Sequence, residues 1–107
     1  MADSFNLSDY EEMALSSERS YRMAADLLGL PADDDIFRLR DAVDACVHQR
    51  RDWSSDNREY EYGGYDSGDC YAGGSLKEAV CCGDYAVMLI SGPGYASVRI
   101  LRKKSVS

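Results

Sequence analysis

The sequence lacks a long hydrophobic segment. No run approaches the roughly 18 consecutive apolar residues that a membrane-spanning helix requires. No charged stretch followed by an apolar one opens the chain, as a secretory leader would. With 107 residues and an ordinary apolar content of 45%, the chain predicts one globular domain. We expect this domain in the cytoplasm.

The sequence also lacks the ligand spacing of a metal site. Zinc is held by four nitrogen or sulfur ligands, usually delivered as two close pairs. The residues that could supply them are Cys46, His48, Cys70, Cys81 and Cys82. Cys46 and His48 lie two apart on a predicted helix and therefore point about 160° apart. The adjacent pair Cys81 and Cys82 can neither chelate together nor bridge each other easily. We expect free, reduced thiols, with no metal and no cofactor.

No catalytic signature is present. A cysteine nucleophile would need a base, and His48 is the only histidine. Asp44, one helical turn earlier, could orient its imidazole, but such a pair is also an ordinary contact on a helix surface. The sequence therefore predicts a protein that is not an enzyme.

An excess of basic residues is absent too, and the acids are unevenly placed. Residues 1–35 hold nine acids and two bases, whereas residues 36–107 hold ten of each. Such a field repels phosphates and favours basic protein partners, including proteins that themselves hold nucleic acid. The acidic side chains expected to bind such a partner are Glu11, Glu12, Glu18, Asp33, Asp34 and Asp35.

The clearest structural signal lies near the end of the chain. An apolar run from Tyr85 meets the turn sequence Ser-Gly-Pro-Gly at 91–94, and a second β-prone run follows to Leu101. This pattern predicts an antiparallel hairpin over 85–101. The first strand is apolar on both faces, which favours a central position in a sheet.

Two helices are predicted in the first half. Ser8 with Glu11 forms a capping box and Gly29 supplies a stop, which predicts a helix over 9–28. Asp33 can cap a second helix over 34–50, after a short connection. The fold class is therefore α+β, with an N-terminal αα-hairpin packed on a small antiparallel sheet that ends in the β-hairpin.

Leu15 and Met23 project from the polar side of the predicted first helix. A helix that packs on one side only would leave them exposed. We therefore expect something other than the main core to cover them, either a second copy in a homodimer or the tyrosine-rich loop.

Residues 52–74 change character, with tyrosines and glycines scattered among acids. Apart from a short strand over 59–62, we expect a long loop, and such loops are usually functional or mobile. Tyr60, Tyr62 and Tyr65 suit a protein interface, although the rings could equally complete the core. The following segment, 76–82, is compatible with a short helix or with the first strand of a three-strand meander.

The hairpin segment resembles one found in other proteins. Its Asp-Tyr-Ala-Val-Met-Leu-Ile-Ser-Gly run at 84–92 and Val-Arg-Ile at 98–100 resemble the ends of small, mostly uncharacterised plasmid and phage proteins. These end in an acid-aromatic-apolar strand, a Gly/Pro turn and a Val-Arg-Ile strand. The resemblance covers some 20 of the 107 residues and implies a mobile-element context.

In that context, small acidic proteins resemble anti-CRISPR or anti-restriction inhibitors. The expected function is therefore a non-enzymatic inhibitor of a bacterial defence complex, acting in the host cytoplasm. It would bind a basic surface that otherwise holds nucleic acid, without binding nucleic acid itself. The alternative is a small adaptor that self-assembles through exposed aromatics. A zinc or thiol-redox protein using the cysteines and His48 is a third interpretation.

Overall fold

The computed structural model describes residues 5–62 and 69–104, and there it has an α+β fold. Two helices pack on one face of an antiparallel sheet, as the sequence predicted. The helices are α1, Ser17–Leu28, and α2, Ile36–Arg50. The strands are β1, Tyr10–Glu12; β2, Trp53–Asp56; β3, Glu59–Tyr62; β4, Asp69–Gly73; β5, Leu76–Cys82; β6, Tyr85–Gly92; and β7, Tyr95–Lys103.

Five strands form the main sheet, in the order β1-β7-β6-β5-β2. The predicted C-terminal hairpin is confirmed as β6 and β7, which reverse at Pro93 and Gly94. Its first strand is central, as its two apolar faces indicated. The segment 76–82 is a strand, so β5, β6 and β7 form the three-strand meander.

The helices bury one face of this sheet. Their contact forms the main core, which includes Tyr21, Leu39, Val43, Val87 and Ile100, each no more than 3% exposed. Burial of these apolar side chains is the main stabilising contribution to the fold.

The opposite face of the sheet carries a smaller apolar cluster. Phe5, from the N-terminal segment, lies over it with its ring 5.0 Å from that of Tyr10 and 5.1 Å from that of Trp53. Below these rings lie Ala86 and Met88 of β6, both buried. This second cluster explains why β6 is apolar on both faces.

The predicted helix over 9–28 is wrong in its first half. Residues 10–12 form the edge strand β1, paired with β7, and Met13 donates its N–H to the Ile100 carbonyl at 2.9 Å. The helix begins only after Ser16, whose hydroxyl accepts the N–H of Arg19 at 3.2 Å. The capping box at Ser8 is not used, because pairing with the open edge of β7 satisfies the same backbone groups.

The second helix begins two residues later than predicted. Its N-cap is Asp35, which accepts the N–H groups of Phe37 and Arg38 at 3.0 and 3.4 Å. Asp33 instead accepts the N–H of Asp35 at 2.8 Å, one step earlier in the same turn. The boundary moves because either aspartate can satisfy a free N–H group here.

The expected loop over 52–74 is largely wrong. Within it lie β2, which pairs with β5, and a separate two-stranded ribbon formed by β3 and β4. The short strand predicted at 59–62 is confirmed as β3. At the base of the ribbon, Gly74 has a φ of +76°, and a side chain there would meet the backbone of Asn57. Only glycine allows the two strands to leave the main sheet at this point.

Leu15 and Met23 are covered by the fold itself. Both are half-buried and pack against the main core, Leu15 from the segment before α1 and Met23 from α1 itself. The expectation that something else must cover them was therefore wrong. It depended on extending the helix through residue 15, where the chain is not helical. Because both side chains already pack against the core, the fold does not require the homodimer that the sequence suggested.

Candidate partner-binding surface

The acids predicted to bind a partner fall into two groups in space. Glu11 and Glu12 lie on β1, at one edge of the sheet. There Glu11 contacts Arg102 at 2.9 Å and Glu12 contacts Arg99 at 3.3 Å. These bases belong to β7, which pairs with β1. The negative charges of Glu11 and Glu12, in the first third of the sequence, are thus neutralised by arginines from the last third.

The second group lies around the connection between the two helices. Arg22 contacts Glu18 at 3.0 Å and also donates to the carbonyl of Asp33 at 3.1 Å. Arg38 contacts the Asp33 carboxylate at 3.0 Å. This hydrogen bond from Arg38, with the N–H of Asp35, holds the pKa of Asp33 below its usual value. Glu18 and Asp33 are therefore engaged within the molecule.

Two exposed acids near the same connection carry uncompensated charge. Asp26, in the last turn of α1, and Asp34, before α2, form no ion pair within residues 5–62 and 69–104. Asp35 lies 4.0 Å from Arg38, at the limit of an ion pair. Of the predicted acids, Asp34 is therefore the one whose charge is most available to a partner.

An apolar cleft of about 560 Å³ opens beside these acids. Met23, Ala25, Leu30 and Leu39 contribute its apolar lining, and Asp26 is among its polar lining residues. This volume lies within the roughly 300–1,000 Å³ of typical ligand sites.

Phe37 lies in the first turn of α2, close in sequence to these residues. It is 70% exposed, more than Leu7 and Tyr95, the other exposed large apolar side chains in the described part of the chain. We call Asp26, Asp34, Phe37 and this cleft the α1–α2 corner. An exposed aromatic on a helix that also lines an apolar cleft, together with acids that form no ion pair among the described residues, is typical of a protein interface.

The predicted tyrosines are only partly placed. Tyr60 and Tyr62 lie in β3, where their backbones pair with Tyr71 and Asp69 of β4. Tyr65 lies outside the described residues. The ribbon makes no strand pairing with the main sheet within the described ranges.

Sequence reasoning missed a polar cluster on the helix-covered face of the sheet. Glu78 of β5 is 3% exposed, and its Oε2 lies 2.8 Å from His48 Nδ1 and 3.1 Å from Arg51 Nη1. Some 30 residues separate these partners in the chain. The available signal was Glu78 itself, which alternates with Leu76 and Val80 on the apolar face of a strand. A charge at such a position needs a partner.

Asp44 does not orient His48. It accepts the Tyr21 hydroxyl at 3.0 Å, in the contact between α1 and α2. Burial is the main cause that raises the pKa of the Tyr21 phenol to about 12, and the adjacent Asp44 carboxylate is the second. Burial also raises the pKa of Asp44. The pair is a structural link between the helices, since neither group reaches His48.

Cys46, Cys81 and Cys82 do not contact His48 either, and the side chain of Cys70 lies outside the described part of the chain. Cys46, Cys81 and Cys82 are free thiols, and burial raises the pKa of Cys81 and of Cys82. A raised pKa leaves less of the nucleophilic thiolate. Among the described residues, no three His, Cys, Asp or Glu side chains are grouped to hold a metal ion.

Comparison with protein-family models, with curated proteins and with solved structures gave no match. Within the described ranges, neither helix has the length and apolar character needed to cross a membrane.

Proposed function

We propose that the protein is a non-enzymatic binding module that engages a basic protein surface through the α1–α2 corner. The observation that carries the proposal is an apolar cleft between α1 and α2, with a 70% exposed Phe37 on α2 and two acids that form no ion pair in the described part of the chain. Interfaces concentrate their affinity in a few aromatic or apolar anchors, and surrounding charges set the rate of association and the specificity. The corner supplies both components.

The partner class follows from the remaining charge. The protein has a formal net charge of −7, and the acids left free at the corner add to a field that attracts cations. A surface rich in Lys and Arg, such as one that holds DNA or RNA, is complementary to it. The proposed activity is to occupy that surface and exclude the nucleic acid. The hairpin resemblance favours a bacterial defence complex in the host cytoplasm as the target.

The proposed surface is narrower than the one the sequence suggested. Glu11, Glu12, Glu18 and Asp33 already contact arginines of the same chain. A partner would have to break those contacts to use these carboxylates. Exposed ion pairs contribute only about 0–1 kcal/mol each, so this is feasible, but Asp26 and Asp34 need no such exchange.

Affinity capture from a bacterial lysate tests the proposal. The immobilised protein should retain a nucleic-acid-binding protein at low salt, release it as salt is raised and lose it to added competitor RNA or DNA. Phe37→Ala should weaken retention by at least about tenfold, as loss of an interface anchor does. Tyr95→Ala is the matched control, since Tyr95 is an exposed aromatic on the β6–β7 turn, 51% exposed. Equal retention by both variants would refute an interface at the corner.

A further inference from the structure

The polar cluster at Glu78 lies at a pocket that the proposed binding function does not use. This pocket, of about 210 Å³, is lined by residues of α2, β2 and β5. Its polar lining residues are His48, Arg51, Ser54, Asp56, Arg58 and Glu78. The volume is below the roughly 300–1,000 Å³ of sites for drug-sized molecules, so the pocket suits a group no larger than a few heavy atoms.

Glu78 fixes the tautomer and the orientation of the His48 imidazole. An ionised carboxylate only accepts hydrogen bonds, so the 2.8 Å contact places a proton on His48 Nδ1. The imidazole Nε2 is then the nitrogen left for a ligand. The His48 side chain is 63% exposed, whereas Glu78 is 3% exposed. A buried carboxylate behind an accessible imidazole sets the orientation of the ring.

The rest of the lining favours an anion once His48 is protonated. Arg51 donates from Nη1 both to Glu78 Oε2 at 3.1 Å and to the His48 carbonyl at 3.0 Å, which holds its guanidinium at the pocket. Arg58 pairs with Asp56, with its Nη2 2.6 Å from the carboxylate. With His48 charged, the described residues that line the pocket include three cations and two carboxylates, in a protein whose overall charge is −7.

The charged groups around His48 come from each neighbouring element. They are Asp44 of α2, Arg51 just after α2, Asp56 of β2, Arg58 after β2, and Glu78 of β5. Asp44 is engaged by Tyr21 and Asp56 by Arg58, so Glu78 and Arg51 are the charges that contact the imidazole directly.

We propose that this pocket binds a phosphate group, with His48 taking up a proton so that Nε2–H donates to a phosphate oxygen. Arg51 supplies the second donor, since a guanidinium matches phosphate oxygens well. No covalent bond changes. One proton passes from solvent to His48 as the anion binds. This site is independent of the α1–α2 corner and would persist if the corner bound nothing.

Titration calorimetry with the purified full chain tests the site. The probes are inorganic phosphate, adenosine 5′-monophosphate and a short single-stranded polyadenylate RNA, each at about pH 6 and about pH 8, on either side of the ordinary histidine range. We expect binding at least about tenfold tighter at the lower pH, with proton uptake seen in buffers of different ionisation enthalpy. Tightest binding of the monophosphate would assign a nucleotide phosphate, and tightest binding of the RNA a phosphodiester.

His48→Gln is the informative variant, because Arg51 still neutralises Glu78 and the exposed imidazole carries little packing. It should weaken binding at the lower pH by about tenfold and remove the pH dependence. Arg19→Gln removes an exposed arginine of α1 that makes no ion pair among the described residues, and it should bind as the parent does. Absence of binding with all three probes would overturn the proposal. So would binding that neither pH nor His48→Gln alters.

Discussion

Removing both cationic partners of Glu78 should cost far more stability than removing Glu78 itself. His48→Ala with Arg51→Ala leaves a carboxylate that is 3% exposed without a donor from either side chain. Breaking a buried ion pair from one side costs about 3–5 kcal/mol. A domain of this size is stable by about 5–15 kcal/mol, so the loss is a large fraction of the total.

The asymmetry follows from the exposure of the partners. His48 and Arg51 are 63% and 45% exposed, so water solvates them once the carboxylate is gone. Glu78→Leu should therefore be neutral or stabilising by about 1 kcal/mol, since leucine joins Leu76 and Val80 on the same face. Added to the double alanine variant, the same change should restore most of the lost stability.

Urea denaturation of the parent, the double alanine variant, Glu78→Leu and the triple variant measures these values, from the midpoint and slope of each transition. Each single alanine variant should lose only about 1 kcal/mol, because the other partner remains. The reasoning is refuted if the double variant loses less than about 1 kcal/mol, or if Glu78→Leu fails to rescue it.

Three further outcomes are expected. The Tyr21 phenol has a pKa of about 12 in the folded chain, so as pH rises the unfolded chain loses this proton before the folded chain does. Stability should therefore fall by about 2 kcal/mol as pH rises from about 10 to 12, and Tyr21→Phe should remove that fall in a denaturation series. Gly74→Ala should destabilise more than Gly94→Ala in thermal melts, since both have a φ near +76° but only the first meets neighbouring backbone. Leu15→Glu with Met23→Glu should lower the melting temperature without changing the mass seen by light scattering; a parent dimer that the variant dissociates would contradict this.

Local pattern predicted the elements whose signals lie within one segment. The hairpin over 85–101 follows from an apolar run, a Gly-Pro-Gly turn and alternation, and the structure has it within two residues. The second helix is right to two residues because its cap and apolar face are adjacent in sequence. These features need no information from the rest of the chain.

The errors lie where distant segments meet. Residues 10–12 carry an acceptable helix start, and only the free edge of β7 makes them a strand. Residues 53–56 are too polar to predict a strand, yet they pair with β5 at an edge. Propensity over a few residues is weak compared with such tertiary pairing.

The same limit applies to the candidate sites. A count of charges along the chain placed the acidic surface in residues 1–35, but it could not show that Arg99 and Arg102 pair with Glu12 and Glu11. Asp34 forms no ion pair among the described residues, and its role in partner binding stays a prediction. The contact between His48 and Glu78 joins two elements and had no local pattern.

Charge reversal at the α1–α2 corner shows whether its acids bind the basic partner. The assay uses the partner purified from the capture. The double variant Asp26→Lys with Asp34→Lys should no longer retain this partner, so added nucleic acid should have nothing to displace. Asp9→Lys with Asp84→Lys is the control: both acids are exposed, form no ion pair in the described part of the chain and give the same change in net charge. The control pair should lose at most a few-fold in affinity, as a general field effect would. Equal loss from both pairs, or loss from neither, would contradict binding through the α1–α2 corner.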